Sequence, residues 1–426
     1  MNPVTINHAG GDINIGTQNN DLNGNSSPAL SFFKTSEYES YKNINPKREP
    51  QTCRWFLEHP TFQAWKARDK GGLLWLTADP GCGKSVLSRA LIDERLVGVG
   101  TSKICFFFFK DNNDQSSIAT TLCALLHQLL RARKSEGLFS KYCVPAIGEC
   151  ADDLKTDFEE LWKVFKKIAL DPSVGDIIIV LDALDECPTT SRNILIDRIG
   201  ELYDDAQEEC RLKFLVTSRP YHEIKVKFNP LLRKLFTIRL DGDAESDSIC
   251  QEIDTVIRTK VANIAQNLDL GNDLAMTLLR KLRETQNRTY LWVHLILEGF
   301  EESFAFTHQK IEKFISTLPG SVEAAYERIL DRCRNRADAR KILHIVIAAQ
   351  RPLTLEEFDI ALEINTDLEA PTTDIRHLNC LGNDHRLAMI RNTCGLFVTV
   401  TYNRVSLIHQ TAYEFLIQKE ASPSVN

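Results

Sequence analysis

Apolar positions along the chain follow two rhythms. Between residues 71 and 240, short continuous apolar runs alternate with stretches of helical period. The runs are "GGLLWLTA" (71–78), "KICFFFFK" (103–110), "DIIIVLDALDE" (176–186), "LKFLVTSRP" (212–220) and "FTIRL" (236–240). Helical patterns fill 84–96, 117–133 and 154–170. In the last, Leu154, Phe158, Leu161, Trp162, Phe165 and Ile168 share one face. Continuous apolar strands alternating with helices predict a parallel sheet covered on both faces, an α/β fold.

After about residue 241 the strand runs cease. Ile253, Val256, Ile257, Val261 and Ile264 form a helical stripe, and further helices are predicted through "TYLWVHLILEGF" (289–300) to Leu318. In "RPLTLEEFDIAL" (351–362), Thr354 with Glu357 three residues later is a capping box that opens another helix. "GLFVTVTYNRVSLIH" (395–409) predicts a β-hairpin turning at Tyr402-Asn403-Arg404, with a short helix after it. Helices followed by a hairpin fit a winged-helix module. Upstream, "TCRWFLEHPTFQAW" (52–65) predicts a helix that stops before Pro60 and resumes. Residues 1–28 are Gly/Asn-rich, almost uncharged, and expected to be disordered when alone. The expected organisation is therefore a head (1–28), a linker and helical segment (29–70), an α/β domain (71–240), a helical domain (241–320), a winged helix (321–418) and a tail (419–426).

Composition adds limits. The 426 residues are 43% hydrophobic and 26% charged, enough apolar material for two or three domains. A net charge of −7 gives no electrostatic reason to expect nucleic acid or an anionic membrane as partner. The longest apolar runs are too short to span a bilayer, and the N-terminus shows no secretory signal, so a cytoplasmic protein without a transmembrane segment is expected. Twelve cysteines lie scattered with no CxxC pair, which suits thiols in a reducing compartment better than a disulfide framework or a metal site.

The chemistry concentrates at three strand ends. "ADPGCGKS" (Ala78, Asp79, Pro80, Gly81, Cys82, Gly83, Lys84, Ser85) follows an apolar strand and opens a helix, with Val86 next. That is the context of a P-loop. The glycines let backbone N–H groups turn inward toward phosphate oxygens, and the helix N-terminus adds a favourable partial charge. Lys84 is expected at the β- and γ-phosphates and Ser85 on Mg²⁺. Ala78 replaces the first Gly of the strict pattern. Asp182 ends the strand of "LDALDE", where a second acidic group must sit for the Mg²⁺ shell. Glu186, with Asp185 as the alternative, is the candidate to orient an attacking water; Ala183 stands where fast ATPases place a Glu. Arg219 ends the strand of "TSRP" and is placed to sense a γ-phosphate.

Together these motifs resemble the NACHT family of STAND-class signalling NTPases, in particular fungal NOD-like receptors of the heterokaryon-incompatibility type. "TCRWFLEHPTFQAW" is similar to the segment before the P-loop in the nephrocystin-3-like subgroup, and "LPGSVEAAY", "RPLTLEEF" and "SLIHQTAYEFL" to the helical and winged-helix region. The resemblance runs from about Thr52 to Leu416. It implies a sheet of order 5-1-4-3-2, and it implies that His409 contacts the β-phosphate of bound ADP in a closed state. From chemistry alone His409 is a lone histidine after an apolar strand, more often structural than a ligand. "NRTYLWVHLIL" (287–297) falls where relatives place base contacts, without their Pro, so ATP/ADP and GTP/GDP both remain open. Relatives usually continue into repeats that sense a ligand, and many carry a folded effector domain at the N-terminus; neither is expected here, with sensing done elsewhere or the chain a shortened relative.

Three functions follow: a nucleotide-dependent switch that oligomerises on activation and resets by slow hydrolysis, an NTPase coupled to another process, or a non-catalytic scaffold. For the switch, the head supplies an outlet. "INIGTQNN" (13–20) resembles the core of the RIP homotypic interaction motif and its fungal counterparts. Ile13 and Ile15 fall on one strand face and Asn14 on the other, so stacked chains form a dry zipper and amide ladders. Residues 1–27 are thus either a plain tail or an amyloid motif that recruits an effector protein.

Overall fold

The structure, a computed structural model, describes residues 4–7, 14–17 and 28–421, except 99, 101, 112–114, 132–135, 207–210, 235–236, 242–245, 286–287, 303–307, 334, 364–382 and 402. The chain divides into two compact units. The first takes Met1–Arg48, Phe56–Ala78 and Lys84–Asp243; the second takes Glu49–Trp55, Asp79–Gly83 and Ala244–Asn426.

In the first unit, β1 (Val4–Asn7) and β2 (Asn14–Thr17) pair antiparallel with Ile6 opposite Ile15. Ile13 and Gln18–Asn20 of the candidate amyloid motif lie outside the described residues. The central sheet has five parallel strands: β3 (Gly72–Thr77), β4 (Lys103–Phe108), β5 (Ile177–Asp182), β6 (Leu212–Ser218) and β7 (Thr237–Asp241). Their order is β4-β5-β6-β3-β7. Numbered from β3 as strand one and taken from the β7 edge, this is 5-1-4-3-2. Every residue of β3 and β5 is buried, which is why these strands are apolar throughout. The Trp75 indole stacks on Phe228 (centroids 4.4 Å apart) and donates to Ser218 Oγ at 2.9 Å, pinning β3 to β6.

Side-chain caps set several of the helix starts. Helix Phe158–Ala169 opens where the Asp157 carboxylate accepts from Glu159 and Glu160 N–H, four residues later than the apolar period alone suggests. Leu154 is still buried, in a 3₁₀ turn before it. Pro60 opens helix Pro60–Ala67 behind an N-cap from His59, and a separate short helix Arg54–Leu57 precedes it.

Between Ser246 and Ala348 the described residues of the second unit form helices and their connections, and the core gathers Ile253, Ile257, Leu278, Trp292 and Tyr326. An antiparallel sheet follows, β8 (Leu353–Thr354), β9 (Val398–Thr401) and β10 (Arg404–Leu407), in the order β8-β10-β9. The hairpin turns through Asn403 at φ +62°. With helices Arg336–Ala348, Leu355–Glu363 and Asn383–Cys394 this is a winged helix.

The capping box is formed as its spacing predicts: Thr354 N–H donates to Glu357 Oε2 at 2.9 Å and Glu357 N–H to Thr354 Oγ1 at 3.2 Å. Arg351 binds the same carboxylate through both guanidinium nitrogens and, with Thr354 N–H, lowers its pKa to about 2. Glu357→Ala is expected to cost about 1 kcal/mol at pH 7, a modest figure because the side chain is 40% exposed. A depressed carboxyl stabilises above its unfolded pKa and loses that contribution as pH falls toward the folded value. The gap between wild-type and variant melting temperatures is therefore expected to narrow from pH 7 to pH 3.

Candidate functional site

Parallel register brings the polar strand ends of the first unit together. Leu181 pairs with Val216, so Asp182 and Thr217 leave β5 and β6 side by side. The Asp182 carboxylate, 1% exposed, accepts from Thr217 Oγ1 at 2.8 Å and Ser88 Oγ at 2.6 Å, with the Ser85 hydroxyl as a further donor. Burial is the largest influence on it and raises its pKa against those hydrogen bonds and the nearby Lys84 charge. Lys84 Nζ donates to the Ala78 carbonyl at 2.6 Å. A buried carboxylate ringed by hydroxyls, beside an ammonium, is an oxygen donor set suited to a hard divalent cation and a phosphate.

The backbone then turns sharply. Ala183 adopts φ +56°, a left-handed conformation, with its N–H on Thr217 Oγ1 at 2.9 Å. This turn feeds the 3₁₀ segment Leu184–Glu186. Both Asp185 oxygens engage Arg219: Oδ1 accepts from its N–H at 3.0 Å and Oδ2 lies 3.3 Å from its Nε. Arg219 also donates to the Tyr221 hydroxyl at 2.9 Å. Glu186 accepts from Asp111 N–H at 3.4 Å. Burial, then the Asp185 charge, push its carboxyl up to about 8, opposed by Lys110. Lys110 is itself shifted down by burial.

In the second unit, Gly81 (φ +78°) and Gly83 (φ +83°) occupy conformations that require glycine. Asp79 is exposed and Pro80 and Cys82 half-buried, with Cys82 N–H reaching the Asp79 carbonyl at 3.5 Å. The turn packs on Thr289, Tyr290 and Leu291, at the start of helix Tyr290–Glu302. Val86, in the first unit, lies half-buried in the first turn of helix Lys84–Asp93. His409 Nδ1 accepts from Thr411 N–H at 3.2 Å and pairs with Thr411 Oγ1, which reaches the Tyr326 hydroxyl at 2.9 Å.

Lys84, Ser85 and Asp182 thus share one cluster, while Asp185 and Arg219 form a buried pair. Sequence reasoning passed over Ser88, Lys110 and the capping role of Thr217. Ser88 had a visible signal, since it lies three residues after Ser85 on the same helix face.

Residues 51–219 match the family model "Nephrocystin 3, N-terminal", and residues 326–424 match "GPI inositol-deacylase, winged helix domain". The vegetative incompatibility protein HET-E-1 of Podospora anserina is 25% identical over 382 residues, 87% of this chain. Most of the chain is thus similar to a HET-type incompatibility protein. The chain spans 26% of the length of HET-E-1. Among solved structures, the Walker-type ATPase PABY2304 of Pyrococcus abyssi is similar at 12% identity, covering 87% of this chain and 97% of its own, with a TM-score of 0.40. Cdc6p of Pyrobaculum aerophilum is similar at 14% identity, covering 92% and 98%, with a TM-score of 0.37. No described helix is long and apolar enough to cross a membrane.

Proposed function

We propose that the chain is a nucleotide-dependent signalling switch of the NOD-like receptor type. The observation that carries this reading is the buried Asp182 carboxylate, held by the hydroxyls of Ser85, Ser88 and Thr217 beside Lys84. These residues fit a nucleoside triphosphate with Mg²⁺. Ser85 and Asp182 would hold the cation, Lys84 would meet the β- and γ-phosphates, and the N–H groups of Asp79, Gly81, Cys82 and Gly83 would meet the phosphate oxygens. Bound there, the cation neutralises phosphate charge and orients the triphosphate.

The chain's own residues account for the rest. Glu186 takes a proton from the attacking water, and Asp185 holds Arg219 in place. Ala183, at the position after Asp182, leaves hydrolysis slow, suited to a reset. His409 holds the β-phosphate of a diphosphate in the closed state, ATP/ADP or GTP/GDP. The triphosphate opens the chain and permits homo-oligomerisation, which clusters residues 1–27 so that they template an effector protein. The setting is cytoplasmic, in fungal self/non-self recognition or programmed cell death, as the relationship to a vegetative incompatibility protein suggests. The net charge of −7 gives nucleic acid no part in this reading.

The test is to identify the nucleotide that copurifies with the chain and then measure single-turnover hydrolysis with ATP and GTP. A retained diphosphate with turnover below about one per second is expected. No retained nucleotide points to a scaffold, and much faster turnover to a working NTPase; either result overturns the switch.

A further inference from the structure

One carboxylate of the second unit collects donors from two distant parts of the sequence. Glu252, 9% exposed on helix Ser246–Asn267, accepts through Oε1 from the N–H groups of Arg54 (2.7 Å) and Trp55 (3.1 Å). Through Oε2 it accepts from Cys53 N–H and from the Tyr290 hydroxyl at 3.2 Å. The Tyr290 ring in turn lies on the phosphate-binding turn. A β-carbon at Gly83 would meet Tyr290 Cδ2 at 3.0 Å and Cε2 at 3.3 Å; one at Gly81 would meet Thr289 Oγ1 at 3.0 Å and Leu291 Cβ at 3.1 Å. Leu291 N–H points to the Gly81 carbonyl at 3.4 Å, and Thr289 Oγ1 caps the same helix by accepting from Trp292 N–H at 3.1 Å.

We infer that Glu252 and Tyr290 are a positioning couple for this turn: Glu252 fixes the Tyr290 hydroxyl, the Tyr290 ring fixes Gly83, and the couple sets how long a nucleoside diphosphate stays bound. The inference rests on the nucleotide reading above. A turn with two glycines at positive φ has little stiffness of its own, and its N–H groups bind phosphate well only when something external aligns them. The ring supplies that alignment, and its own direction is not left to rotamer preference. Three consecutive backbone N–H groups hold the carboxylate that holds the hydroxyl. The hydroxyl also stays a donor at every physiological pH, because burial, and then the Glu252 charge, keep the phenol well above its usual range.

The variants separate the parts of the couple. Tyr290→Phe keeps the ring and removes one charge-assisted hydrogen bond. Glu252→Gln turns one accepting oxygen into a donor, so two of the four bonds go. On the full chain, two readouts apply: amide hydrogen exchange of residues 79–83 without nucleotide, and release of fluorescent ADP and GDP analogues by stopped flow. Tyr290→Phe is expected to speed exchange in 79–83 and to speed release roughly tenfold, the weight of one such bond, with a melting temperature close to wild type. Glu252→Gln should do more, and should also expose the 53–55 amides. If Glu252→Gln does not fold, Tyr290→Phe alone decides. Unchanged exchange, or faster exchange with wild-type release, overturns the couple's role in retention. A wild-type chain that binds neither analogue overturns the nucleotide reading and the retention role with it.

Discussion

Lys84→Ala is expected to abolish nucleotide binding while leaving the fold intact. Lys84 sits half-buried at the start of its helix, and its ammonium donates to the Ala78 carbonyl. That carbonyl belongs to the first residue of the P-loop. Removing the ammonium costs the fold about 1 kcal/mol for that hydrogen bond. Phosphate loses far more. One or two charge-assisted hydrogen bonds at about 1.5–3 kcal/mol each lower affinity by roughly 10²-fold or more. The measurement is a thermal melt with and without nucleotide. A ligand at a hundred times its Kd adds about 2.7 kcal/mol, a rise of roughly 5–10 °C for a unit of this size. The wild type should show that rise with ADP or GDP. Lys84→Ala should melt within a few degrees of the unliganded wild type and show no rise. A variant that still responds to nucleotide would remove Lys84 from the site, and with it the P-loop reading.

How much of this site was legible in the sequence depended on how local each feature is. The five strands were visible because a strand buried on both faces has no polar alternation to conceal it; β3 and β5 are buried at every residue. The winged-helix start was visible because its cap is made within four residues, Thr354 to Glu357. The P-loop was visible because backbone geometry forces glycine at Gly81 and Gly83. Partners across the sheet were not. That Thr217 holds Asp182, or that Asp185 takes both ends of Arg219, follows only from β5 lying beside β6. Arg219 taken alone reads as a phosphate sensor, whereas the structure gives it a carboxylate partner first. The Glu252–Tyr290 couple was the least legible, since it joins segments about 200 residues apart through backbone N–H groups that no residue type reports.

Under the proposed function, that same Asp185–Arg219 pair decides which acid acts on water, and it yields the second large effect. With both Asp185 oxygens on Arg219, Glu186 is the carboxylate left to take a proton, and Glu186→Gln is expected to lower single-turnover hydrolysis by about 10²–10⁴-fold while sparing nucleotide binding. The pH dependence gives a sharper test. Burial holds the Glu186 carboxyl at about 8, so only a minority is ionised at pH 7. Hydrolysis in the wild type should climb about tenfold per pH unit on the acid side and level off above about 8. Lys110 favours the ionised form, so Lys110→Met should move that limb to higher pH. Stability should run the opposite way. A carboxyl whose folded pKa is raised contributes most below its unfolded value of 4.5 and loses that contribution as pH rises through about 8. Glu186→Gln should therefore melt higher than wild type at pH 9 and gain nothing at pH 5. A residue needed only for packing would lower the melting temperature at both pH values and leave the pH limb of hydrolysis where it was. The variant that is slower in chemistry yet more stable in alkali identifies Glu186 as the base.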